Sequence, residues 1–222
     1  MEKDILDTIL YKDCAIKIYQ DEDTQNPDEW GDNNLFLVGF HRDFTVENIL
    51  VSEDICRAVL EGDIKKRDDD DDYIRESAKE LTKQYHVFGL EAYIHGGVAL
   101  SLSREGNFPD RRWDVSQLGA VFVSKKETKS RVKARKLALG LIETWNDYLS
   151  GNVYGFITET KIGNDVGSCW GFYGDYNKSG MIEEAKGEID SYVEEKLKKH
   201  ARQLKVQILK GVSLNNRKAL AI

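Results

Sequence analysis

The apolar positions of the chain fall into short alternating stretches and a few helical ones. Residues 14–20, CAIKIYQ, alternate apolar and polar side chains, the period-two mark of a half-buried strand. Residues 35–41, LFLVGFH, form a continuous apolar run of the kind a buried strand carries. The two runs are candidates to pair, and the turn-rich DEDTQNPDEWGDNN between them reads as a loop anchored by Trp30. SEDICRAVLEGD predicts a short helix with Ser52 as its cap and Gly62 as its stop. DDDDDYIRESAKELTKQYHVFG predicts a second helix. Its start holds Asp68, Asp69, Asp70, Asp71 and Asp72, where carboxylates meet exposed N–H groups. LEAYIHGGVALSLS reads as a strand broken at Gly96 and Gly97, and LGAVFVS as the strand after it.

Lys125 to Leu149 carries Ala134, Ala138, Leu141, Ile142, Trp145 and Tyr148 on one stripe and is the strongest helical signal, closed by Gly151. NVYGFITET and SCWGFYG predict two strands joined through KIGNDVG. In the second, Cys169, Gly171 and Tyr173 alternate with Trp170 and Phe172, so both faces hold apolar bulk and a central, doubly covered strand is expected. Met181 to Leu209 reads as a long charged helix with Ile182, Ala185, Ile189, Val193, Leu197, Leu204 and Ile208 on one side. The order predicts an α+β fold, a mostly antiparallel sheet covered by helices, with a long C-terminal helix over 181–210 packing on it or extending from it.

Composition narrows this picture. The 222 residues contain two prolines and no long Ser/Gly/Pro tract, so one domain over 1–222 is the expectation. No apolar run approaches the roughly 18 residues that span a bilayer, and MEKDILDTIL lacks the layout of a secretory signal. Cys14, Cys56 and Cys169 are odd in number and form no C-x-x-C pair, which disfavours a disulfide framework or structural zinc and suits a reducing cytoplasm.

Charge is uneven. Residues 1–72 hold 21 Asp/Glu against 8 Lys/Arg, while the rest hold 18 against 24. The acidic third disfavours indiscriminate DNA binding and suits a basic protein partner. Asp21, Glu22 and Asp23 directly follow a predicted strand. With Asp68, Asp69, Asp70, Asp71 and Asp72 they are the candidate partner-binding residues. A solvated turn and a plain helix start are the competing readings. Asp21 and Asp23 are also the alternative metal ligands, although no calcium-loop pattern follows them.

KKETKSRVKARK offers phosphate contacts but no interleaved aromatics, so the polar face of a helix explains it better. His95 and Asp114 form an alternative acid/base pair, with Ser101 or Ser103 as nucleophile, but no G-x-S-x-G elbow accompanies them. A hydrogen-bonded structural histidine is the competing reading. No phosphate-cradling glycine loop is present, and no cofactor is expected.

QDEDTQNPDEW, YIHGG, RWDVSQLGAVFVSKKE, DYLSGNVYGF and GSCWGFYGD occur in an order that resembles a largely uncharacterised family of tailed-phage and prophage proteins, over about residues 14–176. The family form carries Asp at Ile94, Ser at Gly96, Ser-Gly at Val115 and Ser116, and an Arg near Asp28. These departures fall around His95 and Asp114 and weaken a catalytic reading there. The resemblance implies an accessory protein of the host-cell cytoplasm. The expectation is a non-enzymatic binding module that inhibits a host macromolecular complex, in the manner of anti-CRISPR or antirestriction proteins, with a host or phage protein complex as partner and no membrane. The alternatives are a metal-dependent nuclease or hydrolase, and a structural protein that self-associates through its last helix.

Overall fold

The computed structural model describes residues 4–31, 33–42, 44–61, 72–106, 108–109 and 113–211. The fold is α+β, with four helices and two antiparallel sheets among the described residues. Where the sequence suggested one domain, the chain groups into two compact units: residues 1–21 with 154–222, and residues 22–153.

The bipartite unit holds β1 (Ile5–Tyr11), β2 (Cys14–Gln20), β8 (Val153–Thr160) and β9 (Asp165–Tyr173) in the order β1-β2-β8-β9, with helix α4 (Met181–Gly211). Cys14, Ile16 and Ile18 of β2 and Phe156 of β8 meet Met181, Ala185 and Ile189 of α4 in one core. Gln20 of β2 pairs with Tyr154 of β8, so the chain leaves this sheet and returns to it at one place. An insertion closed that way needs no Pro- or Ser-rich linker, which is why composition gave no sign of a boundary.

The inserted unit is a five-stranded sheet ordered β4-β3-β7-β5-β6, from β3 (Leu35–His41), β4 (Phe44–Val46), β5 (Tyr85–Ile94), β6 (Val98–Leu102) and β7 (Val115–Ser124). Helix α3 (Arg131–Leu149) packs Ala134, Ala138, Ile142 and Trp145 on one face. On the other face, α1 (Glu53–Glu61) and α2 (Asp72–Gln84) supply Ile55, Cys56 and Leu81 to a core with Phe36, Tyr85 and Phe122. A β-bulge in β7 opposite Leu90 and Glu91 leaves Leu118 out of the ladder. The Gln117 side chain closes the gap, donating to the carbonyls of Leu90 (2.7 Å) and Gly119 (3.2 Å).

Several sequence expectations are corrected. β2 and β3 do not pair: β2 lies between β1 and β8, and β3 between β4 and β7. The second helix ends at Gln84, and Tyr85 to Gly89 continue as strand because they form a ladder with Ala120–Ser124 of β7. Helix α3 begins at Arg131, not at Lys125. Residues 124–130 are held in turns: the Ser124 carbonyl accepts from Glu127 N–H and its hydroxyl from Lys126 N–H, before Ser130 caps the helix.

β9 is an edge strand with no fully buried residue, not a central one. Gly171, at φ +85°, interrupts its alternation, so Cys169 and Phe172 both pack on the α4 side. Trp170 takes the other face, 6.0 Å from the Tyr19 ring, over the space that Gly155 leaves without a Cβ. The aromatic stretch around Trp170 is therefore the sheet's own packing. α4 packs through its first half: Met181, Ala185 and Ile189 are buried, while residues 194–208, 210 and 211 are exposed.

Candidate functional site

The end of the β5–β6 hairpin gathers the polar and aromatic groups of the inserted unit. β5 ends where Ile94 N–H donates to the Asp114 carbonyl (3.0 Å), which brings His95 beside the start of β7. His95 Nδ1 lies 3.6 Å from Asp114 Oδ2, with the imidazole 71% exposed. Tyr93 stacks on Phe108 at 5.5 Å and lies 6.1 Å from the His95 ring. Beneath them Glu91, a buried carboxylate, accepts the backbone N–H groups of Arg104 (2.9 Å) and Gly106 (3.2 Å) and so fixes the loop that carries Phe108.

This arrangement places a histidine next to a carboxylate, but in open solvent and, among the described residues, with no nucleophile aimed at it. Ser103 donates to Gln117 Oε1 at 2.9 Å and belongs to the bulge repair, and Ser101 donates to the Leu102 carbonyl at 3.2 Å. Burial pushes the Cys56 thiol up to about 12, and burial followed by the nearby Glu184 carboxylate raises that of Cys169, so both remain thiols at neutral pH. No group of three or more His, Cys, Asp or Glu among the described residues is placed to hold a metal ion, Asp21 and Asp23 included.

Of the acidic candidates, Asp68, Asp69, Asp70 and Asp71 lie outside the described residues, so the row expected at the start of the second helix is described only at its last member. That member, Asp72, opens α2 and pairs with Arg75 one turn later, with its carboxylate 82% exposed. Asp21, half-buried, and the exposed Glu22 and Asp23 sit in the turn after β2, and no ion pair takes them up among the described residues.

A further carboxylate pair lies where α4 crosses β9, in an open cleft of ≈ 650 Å³ lined by Val166, Glu184, Gly187, Glu188 and Tyr192. The Glu188 carboxylate fills the space above Gly167 that a Cβ would need, and its Oε2 is buried without a hydrogen-bond partner. The Thr158 hydroxyl gives its proton to the Gly167 carbonyl at 3.0 Å. Desolvation, reinforced by Glu184, lifts the Glu188 carboxyl above the usual carboxylate range. The sequence signal for this pair is Glu184 and Glu188 one helical turn apart beside Gly187, which does not stand out among the charges of this helix.

No helix among the described residues is long and apolar enough to cross a membrane. No protein-family model, no curated protein and no solved structure matches the chain.

Proposed function

We propose that this chain is a phage-type accessory protein, a non-enzymatic binding module that captures a basic surface of a host macromolecular complex and so inhibits it. The observation that carries this reading is the acidic turn Asp21–Asp23, whose carboxylates engage no base among the described residues. Carboxylates left in water keep their charge for a partner and cost nothing to desolvate until it arrives. The acidic residues 68–72 extend the same chemistry, with Asp72 also paired to Arg75 on the surface of its helix. The reading is tested by affinity capture from infected cells with wild type and with Asp21, Glu22 and Asp23 all reversed to Lys. The wild type should enrich a basic host or phage protein in a salt-sensitive way, and reversal should weaken capture by roughly tenfold or more. Equal recovery of the same partner by both proteins would overturn it.

A second reading, a hydrolase, rests on the 3.6 Å approach of His95 to Asp114. Esterase or phosphodiesterase turnover abolished by His95→Ala would favour it over the first.

A further inference from the structure

Beyond its packed half, α4 runs from Glu194 to Gly211 in open solvent, about 27 Å of helix at 1.5 Å per residue. The stripe that packs Ile189 and Val193 on the sheet does not stop there. It continues through Leu197, Ala201, Leu204 and Ile208, at intervals of four, three and four residues, with Leu197 64%, Leu204 44% and Ile208 55% exposed. At 100° per residue these four positions fall within an arc of about 60°, the narrow seam by which helices pair and not the broad face of a helix lying on lipid. Lys198 and Lys205 border the seam on one side, and the uncharged Gln207 lies with His200 on the other. From Lys196 to Gly211 the helix has Lys196, Lys198, Lys199, Arg202, Lys205 and Lys210 and no Asp or Glu.

We propose that this C-terminal half of α4 is a docking helix that pairs through Leu197, Ala201, Leu204 and Ile208 with an acidic amphipathic helix of a protein partner. Charge selects the occupant. A second copy of this chain, paired over the same seam, would set Lys198 and Lys205 against each other when antiparallel and against His200 and Gln207 when parallel, with no carboxylate to meet them in either direction. Nucleic acid would satisfy the bases but leave the leucines in water. An acidic helix suits both, covering the apolar seam while its flanking carboxylates meet Lys198 and Lys205. Lys198 has Glu194 beside it at 2.6 Å, but both side chains are well exposed. Such a pair contributes little and is readily exchanged for a better-covered one. The seam is separate from the acidic turn, so this inference stands whether or not the proposed function does.

The test uses the full chain and a fluorescent synthetic peptide of about four heptads with Leu at a and d and Glu at e and g, beside a second peptide with Lys at e and g. The Glu peptide should bind at least roughly tenfold more tightly than the Lys peptide, and rising salt should weaken it. Leu204→Asp should reduce binding by a similar factor, as should the charge-reversed pair Lys198→Glu and Lys205→Glu, which leaves the apolar seam intact. Both variants alter only the exposed half of α4, so circular dichroism should give the wild-type melting midpoint. Equal binding of the two peptides would overturn the proposal, as would Glu-peptide binding indifferent to Leu204→Asp. So would a wild-type dimer in sedimentation velocity that Leu204→Asp dissociates, or tighter binding to phosphatidylglycerol vesicles or a single-stranded oligonucleotide than to the Glu peptide.

Discussion

In the inserted unit, β7 lies under α3 on one face and under α1 and α2 on the other, and its last seven residues are all buried. In the bipartite unit a single helix covers one face of the sheet and then continues past it. The apolar residues left outside differ accordingly. Those of the inserted unit are scattered over separate segments, such as Ile49, Tyr73, Trp113 and Val132, as on most protein surfaces. On α4, Leu197, Leu204 and Ile208 line up on one side of one helix, with Val206 on the other. Exposed apolar side chains carry information when they are collinear and continue a stripe that is already packed. The three-layer unit uses its pattern internally, whereas the two-layer unit leaves part of its pattern outside.

The largest effect that would break this comparison concerns the two cores. Phe122 stacks on Phe36 at 5.1 Å and meets the Tyr85 ring edge-on at 6.0 Å, fully buried. Phe122→Ala should cost about 3–5 kcal/mol in the inserted unit. Hydrogen exchange should quicken in β3, β5 and β7 while β2 and β8 keep their protection. Phe156→Ala, in the other core, should do the reverse. Loss of protection in both sheets from either change would mean that the two units fold as one.

A smaller effect tests how sheet edges are managed. Asn146 of α3 reaches the edge strand β6, where its Oδ1 accepts the Leu100 N–H at 2.7 Å and its Nδ2 donates to the Leu100 carbonyl at 3.0 Å. The amide thus pairs both backbone groups as a neighbouring strand would, and it denies that position to another chain. Asn146→Ala should cost about 1–3 kcal/mol in denaturant unfolding. Asn146→Asp should recover only part of this, because a carboxylate accepts from the N–H but faces the carbonyl with like charge. Full recovery by Asp would remove the donor half of the argument.

Local pattern carried much of this fold. Alternation in Cys14–Gln20 and the apolar run Leu35–His41 mark strands whose bounds the structure shares, and the Ala134–Trp145 stripe lies on α3. What failed was non-local. Ile5–Tyr11 reads as mixed charge and aliphatics because it is an edge strand, with Ile5, Leu6 and Leu10 exposed and only its pairing with β2 defining it. Trp170 and Phe172 suggested a central strand because Gly171, at positive φ, hides a change of face that a strict two-residue period cannot register. The insertion was invisible because its evidence is the Gln20–Tyr154 pairing, which joins positions far apart in sequence. At the site, His95 and Asp114 were named from residue type, but their 3.6 Å approach comes from the β5–β7 ladder, and the same ladder assigns Ser103 to the bulge.

The smallest predicted effect lies at the junction of α4 and β9, where the bipartite unit holds a carboxylate oxygen without a donor, whereas the buried Glu91 of the three-layer unit accepts two backbone N–H groups. Glu188 has its carboxyl pKa raised in the folded state, so the native protein holds this proton more tightly than the unfolded chain does. Stability is then greatest at low pH, where both states are protonated, and falls as pH rises from the ordinary glutamate value through the raised one. Above that window the folded protein carries an ionised Glu188 whose Oε2 has no donor, next to the charge of Glu184. Glu188→Gln keeps the shape, removes the charge and offers an N–H₂ that can turn toward the polar groups over Gly167. At neutral pH this variant should be more stable than wild type by about 1 kcal/mol, and the difference should shrink toward zero as pH falls below the window. Urea unfolding of both proteins across pH 4 to 8 reads the effect directly. A difference that grows on acidification would show that Glu188 is held as the carboxylate, and the cleft would then be a place that stabilises negative charge instead of one that resists it.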